Sequence, residues 1–367
     1  MNAQQIRRIG AGLLVLVWAG LTAAGWLLPS RELSESERRP LAQLPELTVQ
    51  TLLNGSYMTK FESYSLDQFP LRDTFRRMKA LFHRDVLRQK DNNKIYLAQG
   101  HAAQLMDPVK EQALSQNLQR LQLVYDRYLK DTDCRSFFAV VPDKGYYLAE
   151  QNGYPAMDYE TLFDRMEEGL YWAEQVQLTD CLTAEDYYRT DTHWRQEALL
   201  PVAERLLEAM GTELPPEGFT EHRLQRPFYG VYYGQAALPM EPDAMVLMEH
   251  PLLENCTVYD HEAMKETGIY NMEKLDARDL YEVFLSGSRS LLTIENPEAD
   301  TDRELIVFRD SFGSSLVPLL AGSYAKITLV DIRYLSAEVL GQFVEFEDQD
   351  ILFLYSTIVL NTEGILR

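Results

Sequence analysis

Residues 9–28, IGAGLLVLVWAGLTAAGWLL, carry no charge over 20 positions. Such a run has few options, because a bilayer core offers the backbone no hydrogen-bond partners and a helix satisfies them internally. At about 1.5 Å per residue, about 20 residues cover the roughly 30 Å of hydrocarbon. Residues 1–30 are therefore read as an N-terminal signal anchor. Thr22, Ala23 and Ala24 offer small residues for a signal-peptidase cut, but Trp26, Leu27 and Leu28 carry the apolar run past them, which favours an uncleaved anchor. Arg7 and Arg8 on one side face Arg31, Arg38 and Arg39 on the other, so basic residues do not decide orientation. The short N-terminal tail favours a domain outside the cytoplasm.

Beyond the anchor, residues 31–46 mix charges with Pro40 and Pro45 and show no sustained apolar period, as a juxtamembrane linker would. Residues 47–367 are long enough to bury a sizeable core, and the composition of the full chain, 46% hydrophobic and 11% aromatic, argues against disorder. Apolar residues at helical spacing over 73–88 predict a first helix. A helix over 109–129, a strand over 136–141, a helix over 159–175 and a strand over 176–182 then alternate, which implies a parallel sheet covered by helices. A helix is predicted over 194–210. Residues 211–299, rich in Pro, Tyr and Gly, are expected to form an irregular insertion. The alternation resumes with strands at 305–308, 327–330 and 351–355 and helices at 314–320 and near 337–343, so the fold class is α/β.

A net charge of −21 argues against nucleic acid, whose binders release counterions through Lys and Arg. Cys134, Cys181 and Cys256 match no metal-ligand spacing and allow at most one disulfide; each suits a small buried hydrophobe. No cofactor or metal is implied.

Two segments carry chemistry. In ELIVFRDSFGSSLVPLLAG an apolar strand turns at Ser311 into a helix, which sets a serine hydroxyl where open α/β sheets bind ligands and near helix N–H groups that can hold an oxyanion. A serine here can equally cap the helix. In EDYYRTDTHWRQEA, Asp191 and His193 lie two residues apart after a strand. A serine needs a histidine to take its proton, and the histidine needs a carboxylate to orient it. Asp191 as a cap and His193 as a surface residue is the plainer alternative.

TDTHW, with FRDSFGSSLVPLLAG and a later VDIRYL, resembles the DHHW family of bacterial surface proteins, a group similar to the SGNH-hydrolase-like alginate O-acetylation proteins. FESYSLDQFPLRDTF, VVPDKGYY, FYG and YEVFLSGS agree further, and the resemblance covers residues 60–360. It implies an SGNH-hydrolase-like three-layer fold with a central parallel sheet, and a catalytic set of Ser311, His193 and Asp191. Arg309 stands where the family has a glycine ahead of the Asp-Ser pair, so Gly287 and the Ser311 N–H are the expected oxyanion donors. Trp194, Tyr188 and Lys144 are candidate substrate contacts, with core packing as the alternative for the aromatics; Asp67 and Arg72 are expected to form a structural pair. The implied activity is O-acetyl transfer to, or removal from, a cell-surface glycan, beside a multi-spanning membrane O-acyltransferase. A glycan-binding scaffold without catalysis is the rival.

Overall fold

The apolar runs predicted around 136–141, 305–308, 327–330 and 351–355 all enter one sheet, seen in a computed structural model that describes residues 2–34, 36–216 and 218–367. Its strands are β1 (Arg135–Val141), β2 (Glu174–Gln175), β3 (Thr257–Asp260), β4 (Lys265–Thr267), β5 (Leu291–Glu295), β6 (Glu304–Arg309), β7 (Lys326–Val330) and β8 (Asp350–Ser356). Across the sheet they follow the order β4-β3-β5-β7-β6-β8-β1-β2. From β7 to β2 all neighbours are parallel. β5, β3 and β4 extend the other edge antiparallel.

Alternate residues of each strand feed two cores, because successive side chains point to opposite faces. Phe137, Ala139, Val307, Leu329 and Leu352 pack with helix Leu200–Ala209 and helix Gly313–Leu320; Phe138, Val140, Ile306, Phe308 and Phe353 pack with helix Glu111–Val124 and helix Tyr159–Gly169. Helices thus cover both faces, giving the three layers of the expected SGNH-hydrolase-like architecture.

Some predicted bounds shift. The helix from Tyr159 stops at Gly169, and the strand expected at 176–182 is the two-residue β2 just before it. The helix expected over 194–210 starts at Leu200, where Pro201 suits the first turn; Trp194 instead bridges to Tyr187. Residues 211–299 hold more regular structure than their pattern predicts: a hairpin of Thr220–Phe228 with Asp243–Glu249, and the sheet strands β3, β4 and β5. Cys134, Cys181 and Cys256 are all unpaired.

The sheet belongs to a unit of Lys94–Tyr232 with Met240–Arg367; Met1–Asn93 with Tyr233–Pro239 forms a second. This second unit opens with helix Ala3–Leu27, which has no buried residue and is long and apolar enough to cross a membrane. Within it Leu33–Ser34 pairs with Arg39–Pro40, in the stretch expected as a linker. Arg39 donates to both Asp67 oxygens at 2.8 and 2.6 Å, and its guanidinium holds the Asp67 carboxyl down at about 2. Arg72 lies 3.5 Å from Asp67 and 2.6 Å from Glu37, so the pair expected of Asp67 and Arg72 is part of a larger cluster.

Candidate active site

Ser311 lies just past the end of β6, in the turn leading to helix Gly313–Leu320. Asp310 shapes that turn. Its buried carboxylate accepts from the Phe312 N–H at 2.9 Å and from the Ser356 N–H and hydroxyl at 2.8 and 2.6 Å, which ties the turn to the end of β8. Gly313 is required here, because a Cβ would meet the Arg309 side chain at 2.9 Å.

His193 arrives from the loop closed by the bridge between Tyr187 and Trp194. The Tyr188 N–H donates to the His193 carbonyl at 3.0 Å. Trp194 then clamps the loop to the serine turn: its indole N–H lies 3.1 Å from the Phe312 carbonyl and 3.0 Å from Ser315 Oγ. Gln196 donates to the Ser315 carbonyl at 2.9 Å. The outcome is that His193 Nε2 sits 2.8 Å from Ser311 Oγ while Nδ1 sits 2.6 Å from Asp191 Oδ1. A carboxylate only accepts, so the imidazole proton belongs on Nδ1 and Nε2 is left to accept the serine proton.

Asp191 is fixed on its other side, where Oδ2 accepts the Val231 N–H at 2.8 Å. Gly230 makes this approach possible: a Cβ there would lie 2.3 Å from the Asp191 Cα. Asp243 secures the same loop by accepting the Arg189 and Thr190 N–H groups at 2.8 and 2.9 Å.

Three expected substrate contacts are buried instead. Trp194 is wholly enclosed, with its one donor turned toward the serine turn. Tyr188 is also enclosed and packs edge-on against Phe228, at 4.9 Å between ring centroids. The buried Lys144 ammonium donates to the Tyr188 and Arg189 carbonyls at 2.9 and 3.5 Å, beneath the loop that carries Asp191. Burial pushes its pKa down to about 7, against the pull of Asp191, Asp243 and Asp143. The expected oxyanion donor Gly287 also departs from its role, because its N–H donates to the Phe284 carbonyl at 3.0 Å.

Residues outside the expected set complete the site. The Tyr281 ring stacks on His193 with centroids 3.9 Å apart and planes 10° apart, and its hydroxyl lies 2.8 Å from Ser315 Oγ. Burial holds this phenol far above its ordinary pKa, so it stays neutral. Tyr281 lies in YEVFLSGS, where an aromatic that lines a site reads no differently from one in the core. Arg309, fully buried, donates to Ser314 Oγ at 3.0 Å and to the Gly287 carbonyl at 3.3 Å. A guanidinium cannot accept, so it takes a lone pair of Ser314 and leaves that hydroxyl's proton free to donate. His193, Ser311, Ser314, Tyr281, Ser286 and Gly287 line a cleft of about 450 Å³. Its rim cations are paired, Lys274 with Glu282 at 2.8 Å and Arg289 with Asp260 at 3.0 Å.

No protein-family profile matches the chain, and no curated protein matches its sequence. Solved structures do match in fold. A DHHW family protein from Eubacterium siraeum, 20% identical, aligns over 75% of this chain and 94% of its own, with a TM-score of 0.57. Bacillus cereus PatB1, 16% identical, aligns over 74% of this chain and 98% of its own at the same TM-score. PatB1 with a sulfonyl adduct, 15% identical, aligns over 74% of this chain and 97% of its own at 0.55. In fold, this chain is similar to a DHHW family protein and to PatB1.

Proposed function

We propose that the chain is a serine-dependent O-acetyltransferase or acetylesterase that acts on a cell-surface glycan. The observation that carries this reading is the continuous contact from Asp191 through His193 to Ser311, at 2.6 and 2.8 Å. Ser311 Oγ attacks the acetyl carbonyl while its proton passes to His193 Nε2; the bond from carbonyl to leaving oxygen breaks, and His193 returns the proton to that oxygen. A sugar hydroxyl or water then gives its proton to Nε2 and bonds to the acetyl carbon; the bond from that carbon to Ser311 Oγ breaks, and Nε2 returns the proton to Oγ. The Ser311 N–H, without an acceptor among the described residues, and the Ser314 hydroxyl hold the oxyanion.

The acetyl and glycan assignments rest on the motif resemblance, together with a polar cleft whose paired rim cations leave no excess positive charge for an anionic polymer. The domain lies outside the cytoplasm, anchored through Ala3–Leu27, and receives acetyl groups from a multi-spanning membrane O-acyltransferase, since one membrane segment cannot carry them across. One observation favours the inert scaffold instead: the Gly287 N–H is already engaged.

Because PatB1 is seen with a sulfonyl adduct, phenylmethanesulfonyl fluoride is the probe of choice. The serine oxygen displaces fluoride from sulfur and loses its proton. One adduct per chain, mapped to Ser311 and absent from His193→Ala, is expected. An unreactive Ser311 in a chain that still binds glycan would favour the scaffold.

A further inference from the structure

We propose that the face of helix Arg72–Leu81 and the turn Phe82–Val86 that carries Leu71, Phe75, Met78, Phe82 and Val86 beds into a bilayer surface bearing anionic headgroups. The inference rests on Ala3–Leu27 being the membrane segment.

These five residues recur at helical spacing and fall on one face. All are exposed, by 66%, 41%, 59%, 52% and 61% respectively, where a soluble domain would bury such a stripe. Basic side chains flank it. Residues 72–90 hold seven Lys and Arg against two Asp, in a chain whose net charge is −21. Arg72 and Arg76 face inward to Glu37, while Arg77, Lys79, Arg84 and Arg88 are exposed. An apolar stripe flanked by cations is the pattern of a helix lying in a membrane interface, its apolar side sunk roughly 5–10 Å below the headgroups.

The helix also starts where the membrane segment ends. Ser30, just past Ala3–Leu27, has its hydroxyl 3.4 Å from that of Tyr64. The Arg31 N–H donates to Gln68 at 2.9 Å, and Gln68 donates back to the Arg31 carbonyl at 2.8 Å. In the last turn of the apolar helix a Cβ added at Gly25 would lie 3.7 Å from the Pro70 ring, two residues before Arg72. The segment Gln68–Phe69–Pro70 is thereby held at the membrane exit, which brings the stripe within reach of lipid rather than of bulk water alone.

The full-length chain, reconstituted in phosphatidylglycerol vesicles doped with a phospholipid bearing a diazirine on its acyl chain, tests this by photolabelling and peptide mapping. Label is expected on peptides of 71–87 as well as on 3–27. Replacing phosphatidylglycerol by phosphatidylcholine should lower label on 71–87 about 5-fold or more and leave 3–27 unchanged. Phe75→Ser with Met78→Ser and Phe82→Ser, all surface changes, should remove it from 71–87 alone. Label on 3–27 without any on 71–87 would overturn the proposal, and equal label on 71–87 in both lipids would overturn the anionic surface. Absence of label from 3–27 would instead overturn the membrane segment itself.

Discussion

Lys144 sits where water cannot solvate it, and the consequence is a pH dependence with a definite sign. Its pKa falls to about 7 in the fold, whereas a free lysine titrates near 10.4. Between those values the unfolded chain holds the extra proton, so this residue's contribution to stability is present above about pH 10 and lost as pH falls to about 7. The stability of Lys144→Met relative to the wild type should therefore rise as pH falls from about 10 to about 7, by a few kcal/mol, and then level off. Denaturant melts at a series of pH values check it; a difference independent of pH would contradict the lowered pKa of the buried Lys144. Ser314→Ala should lower kcat about 10²-fold with little change in KM, because the hydroxyl meets charge that develops only in the transition state. Initial rates with an activated acetyl ester check it, and an unchanged kcat would remove Ser314 from the oxyanion site.

At the scale of elements, the site depends on three segments meeting: the turn after β6, the loop of His193 and the hairpin whose Asp243 and neighbouring Gly230 hold that loop. Gly230→Ala should lower the melting temperature and cut kcat about 10²-fold, since the new Cβ displaces Asp191 and a shift of about 1 Å suffices for such a loss. Retained kcat would show that the loop has room to move. Which elements can be read from the sequence follows from burial. β1, β6, β7 and β8 are covered on both faces, so they read as unbroken apolar runs, and the serine turn after β6 could be found from them. β3 and β4 lie at the edge, four and three residues long with polar side chains among them, and leave almost no pattern. Asp191, His193 and Ser311 stood out because their chemistry needs those residue types. For Trp194, Tyr188 and Lys144 the choice between substrate contact and core stays open in the sequence, because it does not tell which way a side chain beside a motif turns; all three are buried.

For the whole molecule, an apolar helix of 25 residues, an apolar face flanked by exposed cations in the same unit and a net charge of −21 are what the proposed acetyl transfer at a membrane surface calls for. The proposed function turns on the covalent step at Ser311. It is tested most directly by mixing the full-length protein with 4-nitrophenyl acetate, quenching within the first turnover, and measuring intact and peptide masses. A single acetyl group is expected on the peptide containing Ser311, absent from Ser311→Ala and discharged more quickly when an oligosaccharide acceptor is added. Full turnover by Ser311→Ala, or an acetyl group carried through turnover on any other residue, would contradict it.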